Sequence, residues 1–306
     1  MGTTDVGALN EASVVISTCR GSIAGRYSET DYARMTRSTC LAVFRVTLLV
    51  GLAIIILIFQ GSLILMRSSF SSRLPVFWND WCRRVVGMEV TVSGRPLVRG
   101  SALFVANHIS YLDIAALGSV VNASFISRAD VRNWPVFGFL AKLQKTIFLE
   151  RKPRYIRQQM VELKDRLAAG DRLILFPEGT SSDGNTILPF KSSLFAATDI
   201  SVECSPVQVQ PISIAYTRLD GLPLGRLMRP IYAWYGDMEF VPHFWHLLGF
   251  GRFRVDLMVH DPVNPNLFSS RKELAQYCER VITDGFSRLL SGRPKCPPPI
   301  DGPSTA

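Results

Sequence analysis

The chain has 306 residues, 47% of them hydrophobic, and a formal net charge of +9. That is enough to bury a sizeable core in one large domain or two small ones, and it calls for an anionic partner. No zinc-finger spacing, basic zipper or aromatic RNA-binding signature is present, so the basic charge is assigned to a membrane or an acidic ligand, with no nucleic acid as partner.

In chain order, residues 1–38 form a polar leader of mixed charge without periodicity. Residues 39–88 read as a membrane segment and an interfacial helix. Between Arg45 and Arg67 the 21 residues Val46 to Met66 carry no charge, and at ~1.5 Å rise per residue a helix of that length reaches about 31 Å, enough to span a bilayer. A hairpin that dips in and returns, or a buried core helix, are the alternatives. A cleaved signal peptide fits badly, because the run starts far from the N-terminus and no small-x-small site follows. Arginines flank both ends, which leaves the orientation open. Next, "PVFWNDWCRRVVG" mixes Trp78 and Trp81 with Arg83 and Arg84, a composition suited to headgroup depth and equally to an amphipathic helix on a core.

Residues 89–293 read as an α/β domain. "SALFVAN", "KTIFLER", "DRLILFPEG" and "VQVQPISIAY" have the apolar, β-branched and aromatic composition of buried strands. Between the second and third, Ile156, Met160, Val161, Leu163 and Leu167 form a helical stripe that ends at Gly170. Strand, helix, strand in that order implies a right-handed crossover. The tail 294–306, "PKCPPPIDGPSTA", is proline-rich and reads as disordered. The six cysteines are scattered with no Cys-x-x-Cys pair, so they read as free thiols rather than a zinc site or a disulfide framework. The four histidines show no His-Glu-x-x-His spacing, so no metal is expected.

The chemistry concentrates in "NHISYLD". Ser110 and Asp113 have the spacing of a capping box with Asp in the last position, so a helix should start near Ser110. His108 then lies just upstream of the helix. Inside one helix, residues five apart point about 140° away from each other. A His108–Asp113 hydrogen bond is therefore possible only at a strand-to-helix junction, which this sequence supplies. A carboxylate on one ring nitrogen fixes the tautomer and leaves the other nitrogen as a general base. The chain has no Gly-x-Ser-x-Gly elbow to supply an enzyme nucleophile, which points to a hydroxyl brought by the substrate. Taken alone, the pair could equally be a helix cap beside a loop histidine.

"NHISYLD", "KTIFLER", "FPEGTSS" and "VQPI" stand in the order and spacing of the four motifs of the glycerolipid acyltransferase family, which includes the lysophosphatidic acid acyltransferases. The chain resembles that family from about Val90 to Tyr216. The resemblance implies a glycerolipid-acyltransferase-type α/β fold, a mixed sheet flanked by helices, behind an N-terminal membrane helix or hairpin. It implies an enzyme of the bacterial inner membrane, with its catalytic domain facing the cytoplasm, that needs no cofactor. Its partners would be an acyl carrier protein or acyl-CoA donor, a lyso-lipid acceptor and the membrane.

Carried over residue by residue, the resemblance makes His108 the base and Asp113 its orienting partner. Asn107, Arg151, Glu178, Gly179, Thr180, Lys191 and Pro211 become substrate-binding positions. Two departures matter. Lys145 replaces the glycine that usually opens the second motif, and Ser181 stands where phosphate-acceptor members carry arginine after Glu-Gly-Thr. Serine cannot replace a bidentate guanidinium, so a phosphate acceptor is disfavoured. "FPEGTSSDGN", "LPFKSSLF", "YTRLDGLPLGR" and "AWYGDMEF" resemble the lyso-ornithine lipid acyltransferase branch, whose acceptor carries an amine that Asp237 or Glu239 could meet. The favoured acceptor is therefore lyso-ornithine lipid, with lysophosphatidic acid as the alternative. A non-catalytic lipid binder and a thioesterase are the readings from other classes.

Overall fold

The computed structural model describes residues 38–65, 74–133, 138, 141, 144–149, 153–198, 201–202 and 205–293. The leader expected over 1–38 lies outside them except for Ser38, and so does the tail expected over 294–306.

Helices α1 (Thr39–Leu65) and α2 (Leu74–Val85) precede strand β1 (Met88–Gly94). There follow β2 (Ala102–Ala106), α3 (Leu112–Val120), β3 (Ser124–Arg128), β4 (Ile147–Leu149), α4 (Pro153–Ala168) and β5 (Arg172–Leu175). A two-strand ladder of β6 (Ser201–Val202) and β7 (Ser205–Pro206) leads to the long β8 (Gln208–Leu219), then β9 (Leu222–Pro223), α5 (Phe240–Leu248), β10 (Phe253–Val259) and α6 (Arg271–Leu290). The main sheet runs β1-β10-β8-β2-β5-β3-β4, with β9 on β8. Among the described strands of this sheet the β10–β8 and β8–β9 pairs are antiparallel and the rest parallel. The sheet is therefore mixed, as expected.

The four expected strands correspond to β2, β4, β5 and β8, and the expected helix to α4. β4 and β5 are not neighbours: β3 lies between them, so the chain leaving β4 crosses one strand before it rejoins the sheet through α4.

β2 shows why its residues form a strand buried on both faces. Ala102, Phe104 and Ala106 enter one core cluster, with Leu117, Ile214 and Phe253, while Leu103 and Val105 enter the other, with Leu163, Leu173 and Ile282. Side chains alternate faces along a strand, so a continuous apolar run fills two layers at once. α6 covers the second layer. Ser270 accepts the Glu273 N–H at 3.3 Å while Glu273 accepts the Ser269 N–H at 2.8 Å, a reciprocal cap that starts the helix. Leu274, Cys278, Val281, Ile282 and Leu289 then make its buried stripe.

α1 takes up most of the apolar run Val46 to Met66, and its side chains are described as far as Ile55. Among the described residues no helix is long and apolar enough to cross a membrane, so the spanning helix or hairpin expected here is not carried by them. They show a helix docked at its base. Arg45 is buried and donates to the carbonyls of Leu248 (3.0 Å), Phe250 (2.5 Å) and Gly251 (3.3 Å). Val43, Phe44, Leu48, Val50, Ile54 and Ile55 stay exposed. α2 packs across α3, where a side chain on Gly118 would collide with Asn79, and it leaves Phe77 and Trp81 exposed.

Candidate active site

β2 ends at Ala106, and the next two residues leave the sheet at its carboxyl edge, where open α/β sheets gather ligand groups. Asn107 is buried and clamps this exit to β8. Its Oδ1 accepts the Ile214 N–H at 2.8 Å and its Nδ2 donates to the Ile214 carbonyl at 3.0 Å.

His108 follows with its side chain 19% exposed, and its Nδ1 lies 2.9 Å from Oδ2 of the fully buried Asp113. The same Oδ2 accepts the N–H groups of Ile109 (2.7 Å) and Ser110 (3.0 Å), and Oδ1 accepts the Tyr216 hydroxyl at 2.8 Å. A buried carboxylate costs several kcal/mol unless its oxygens are satisfied, and these donors offset that cost. The capping box forms by half: Asp113 reaches back to the Ser110 N–H, while its own N–H bonds the Ser110 carbonyl rather than the hydroxyl. The helix therefore starts at Leu112 behind Tyr111. Phe176 stacks on the His108 ring at 4.2 Å.

The turn after β5 meets this junction. Glu178 is 1% exposed; its Oε1 accepts the His108 N–H at 2.7 Å and its Oε2 the Leu188 N–H at 2.8 Å. Burial, the largest influence, pushes its carboxyl up to about 7 against the pull of those N–H groups. The Ser182 N–H returns to the His108 carbonyl at 2.9 Å. Gly179 sits at φ +69, a conformation that favours glycine, and Lys191 Nζ lies 2.7 Å from where a Cβ would stand. Thr180 and Lys191 are exposed at this mouth.

Of the expected site residues, the structure brings together Asn107, His108, Asp113, Glu178, Gly179, Thr180 and Lys191. Pro211 is buried within β8, in register with Val105 of β2. Arg151 lies outside the described residues. Gln210, beside Pro211, spends its amide on the fold, accepting the Val98 N–H and donating to the carbonyls of Pro96 and His260.

Three features escape sequence reasoning. Tyr216 reaches Asp113 from the far end of the last strand motif. The Ser181 hydroxyl donates to the Trp234 carbonyl, and the Trp234 N–H donates to the Ile109 carbonyl at 3.0 Å, so the segment after β9 is latched to both motif turns. Tyr111, whose hydroxyl lies 3.0 Å from His243 Nδ1, packs edge-on against Trp234, Phe240 and Phe244, which puts an apolar aromatic wall next to the dyad. Only the aromatic density of "AWYGDMEF" and the helix after it signals that wall.

A family model described as Acyltransferase matches residues 86–215, the stretch that holds the dyad, the Glu178 turn and β8 up to Ala215. A lyso-ornithine lipid O-acyltransferase of Brucella abortus is 38% identical over 252 residues, covering 81% of this chain and 94% of the relative. The chain belongs to the acyltransferase family. It is an acyltransferase enzyme. A lyso-ornithine lipid O-acyltransferase of Rhizobium meliloti is 41% identical over 224 residues, 72% of this chain and 77% of that one. The crystal structure of the 1-acyl-sn-glycerophosphate (LPA) acyltransferase PlsC from Thermotoga maritima is similar with a TM-score of 0.57 at 26% identity, covering 82% of this chain and 94% of that one.

Proposed function

We propose that the protein is a membrane-bound O-acyltransferase that moves a fatty acyl group from the thioester of acyl carrier protein or coenzyme A to the free hydroxyl of a lyso-ornithine lipid. The observation that carries this reading is the partly open His108 ring held on a buried, multiply bonded Asp113 at the carboxyl edge of the sheet. With Nδ1–H directed at Asp113, Nε2 is the base that takes the acceptor's hydroxyl proton. The acceptor oxygen attacks the thioester carbonyl, the C–S bond breaks, and the thiolate leaves with the proton returned by His108. No acyl-enzyme is required.

The headgroup assignment rests on Ser181. Its hydroxyl is committed to the Trp234 carbonyl, so it offers a phosphate neither charge nor a free donor. The relatives from Brucella abortus and Rhizobium meliloti carry the lyso-ornithine name. Lysophosphatidic acid is the second reading, favoured by Lys191 beside Gly179 and by the name of the Thermotoga maritima structure. Gly179, Thr180 and Lys191 line the acceptor side; the family resemblance alone adds Arg151 as an acceptor-binding cation. Asn107, Glu178 and Pro211 hold the frame behind it. The exposed apolar side chains of α1, with Phe77 and Trp81 of α2, support attachment to the bacterial inner membrane, with the catalytic domain on the cytoplasmic side, where the thioesters are.

The test is acyl transfer by the purified protein from labelled acyl carrier protein, offered lyso-ornithine lipid and lysophosphatidic acid in parallel. Product with the ornithine acceptor is expected. Product with lysophosphatidic acid alone would transfer the assignment to the second reading, and free fatty acid without an acceptor would make the enzyme a thioesterase.

A further inference from the structure

Asp113 uses its two oxygens unequally. Oδ2 takes His108 Nδ1 and the N–H groups of Ile109 and Ser110, all from its own turn. Oδ1 takes the Tyr216 hydroxyl, 103 residues further along the chain. Tyr216 is 2% exposed, and burial, the largest influence, raises its phenol well above its usual range, with Asp113 adding to the shift. It therefore acts as a donor at every working pH. Its ring is fixed on three sides: Tyr232 stacks on it at 5.7 Å, Phe253 at 6.2 Å, and β8 anchors its backbone. A rigid neutral donor against a buried carboxylate makes a charge-assisted hydrogen bond that both orients the carboxylate and draws off part of its negative charge.

We propose that Tyr216 is a positioning residue for the acyl transfer, acting through Asp113 to orient His108 and to set its basicity. The inference rests on the reading of His108 as the general base. When His108 holds the acceptor's proton, the imidazolium is stabilised by the charge left on Asp113. A stronger donor on Oδ1 lowers that charge and a missing donor raises it. The pH at which His108 becomes a competent base therefore follows the strength of the Tyr216 hydrogen bond.

Among the described residues, the titratable groups around the pair are Glu178 from the turn after β5, Tyr111 from the start of α3, Tyr232 stacked on the Tyr216 ring, and Lys191 at Gly179. All are retained in the Tyr216 variants below; Glu178 itself feels the charge on Asp113, so its titration moves in the same sense as the acid limb.

The experiment compares the pH dependence of kcat/KM for the wild type, Tyr216→Phe, the protein carrying 3-fluorotyrosine at position 216, and His108→Ala. Each is assayed in detergent with whichever acceptor the wild type turns over, and thermal melts report folding. His108→Ala should be inactive, which confirms the reading beneath the inference; an active His108→Ala overturns both. Phenylalanine removes the donor, so the acid limb should move to higher pH by roughly half a unit and kcat should fall about three- to thirtyfold, with KM little changed. Fluorotyrosine is a more acidic, stronger donor and should move the acid limb the other way. Coincident acid limbs in folded proteins, or shifts of the same sign for both replacements, would reduce Tyr216 to packing while leaving His108 as the base. If phenylalanine prevents folding, the fluorotyrosine protein keeps the full hydroxyl and ring and decides the matter alone.

Discussion

Two histidines of this chain are each bonded to a wholly buried polar side chain, and they serve opposite ends. His108 meets Asp113 at the edge of the sheet with its ring 19% exposed. His260 is 3% exposed beneath α6, with Nε2 at 2.8 Å from the Ser213 hydroxyl. A serine and a histidine at that distance resemble a nucleophile and its base, but the Ser213 proton is committed to the Ile282 carbonyl at 2.8 Å. The serine oxygen can therefore only accept from His260, and both side chains are buried. Gly285 lies close enough that a side chain there would collide with both residues. Distance between two groups does not make a catalytic pair; the direction of the proton and the access of the outer nitrogen decide it.

Four outcomes would sharpen or break that contrast. The largest is His108→Ala, which should lower kcat by ~10²- to 10⁴-fold in a protein that still folds, measured on the detergent-solubilised protein. Retained activity would erase the distinction.

Acid should act through the other histidine. Burial holds His260 down to about 4, below the 6.5 of the unfolded chain, so the folded state binds fewer protons. Its contribution to stability is complete above pH 6.5 and is lost as pH falls toward 4, by up to about 3 kcal/mol. Glu178 runs the opposite way. Its folded value of about 7 exceeds its ordinary 4.5, so its contribution is complete below 4.5 and is lost as pH rises through 7. Denaturant melts of His260→Leu and Glu178→Gln against the wild type over pH 4–8 should show slopes differing from it in opposite senses.

Ser213→Ala should cost about 1–3 kcal/mol by leaving the His260 N–H and the Ile282 carbonyl short of a partner, with kcat per folded molecule unchanged. A loss of turnover without a loss of stability would show that the buried pair does more than hold α6. The smallest effect belongs to Ser181→Ala, which unlatches Trp234 from the turn after β5. The expected cost is about 1 kcal/mol in kcat/KM for the acceptor, with no change in the rate of donor hydrolysis.

The dyad was legible because both its members lie on one strand-to-helix junction, where local geometry dictates which side chains can meet. The strands β2, β4, β5 and β8 and the helix α4 were legible for a similar reason, since their residues are apolar on a period the backbone imposes. β1, β3, β10 and α6 were missed. β1 and β3 carry exposed or polar positions among few apolar ones; α6 carries both an apolar stripe at helical spacing and the Ser270–Glu273 cap, but lies outside the motifs that define the site. The role of Glu178 was legible only as a position: a glutamate after a strand looks like a ligand group, and the structure shows its oxygens on the backbone of His108 and Leu188.

By itself the sequence determined the α/β class, the family, the dyad and the departure at Ser181, because each depends on residues within a few positions of one another or on the order of short motifs. The tertiary structure alone decided that Tyr216 completes the bonding of Asp113, that Ser181 grips Trp234, and that Arg45 seals the base of α1 against the carbonyls at 248–251. Each of these contacts joins residues between 53 and 206 positions apart. No local periodicity encodes such a pairing; it exists only once the sheet order has brought β8 beside β2 and the chain beyond it back over the site.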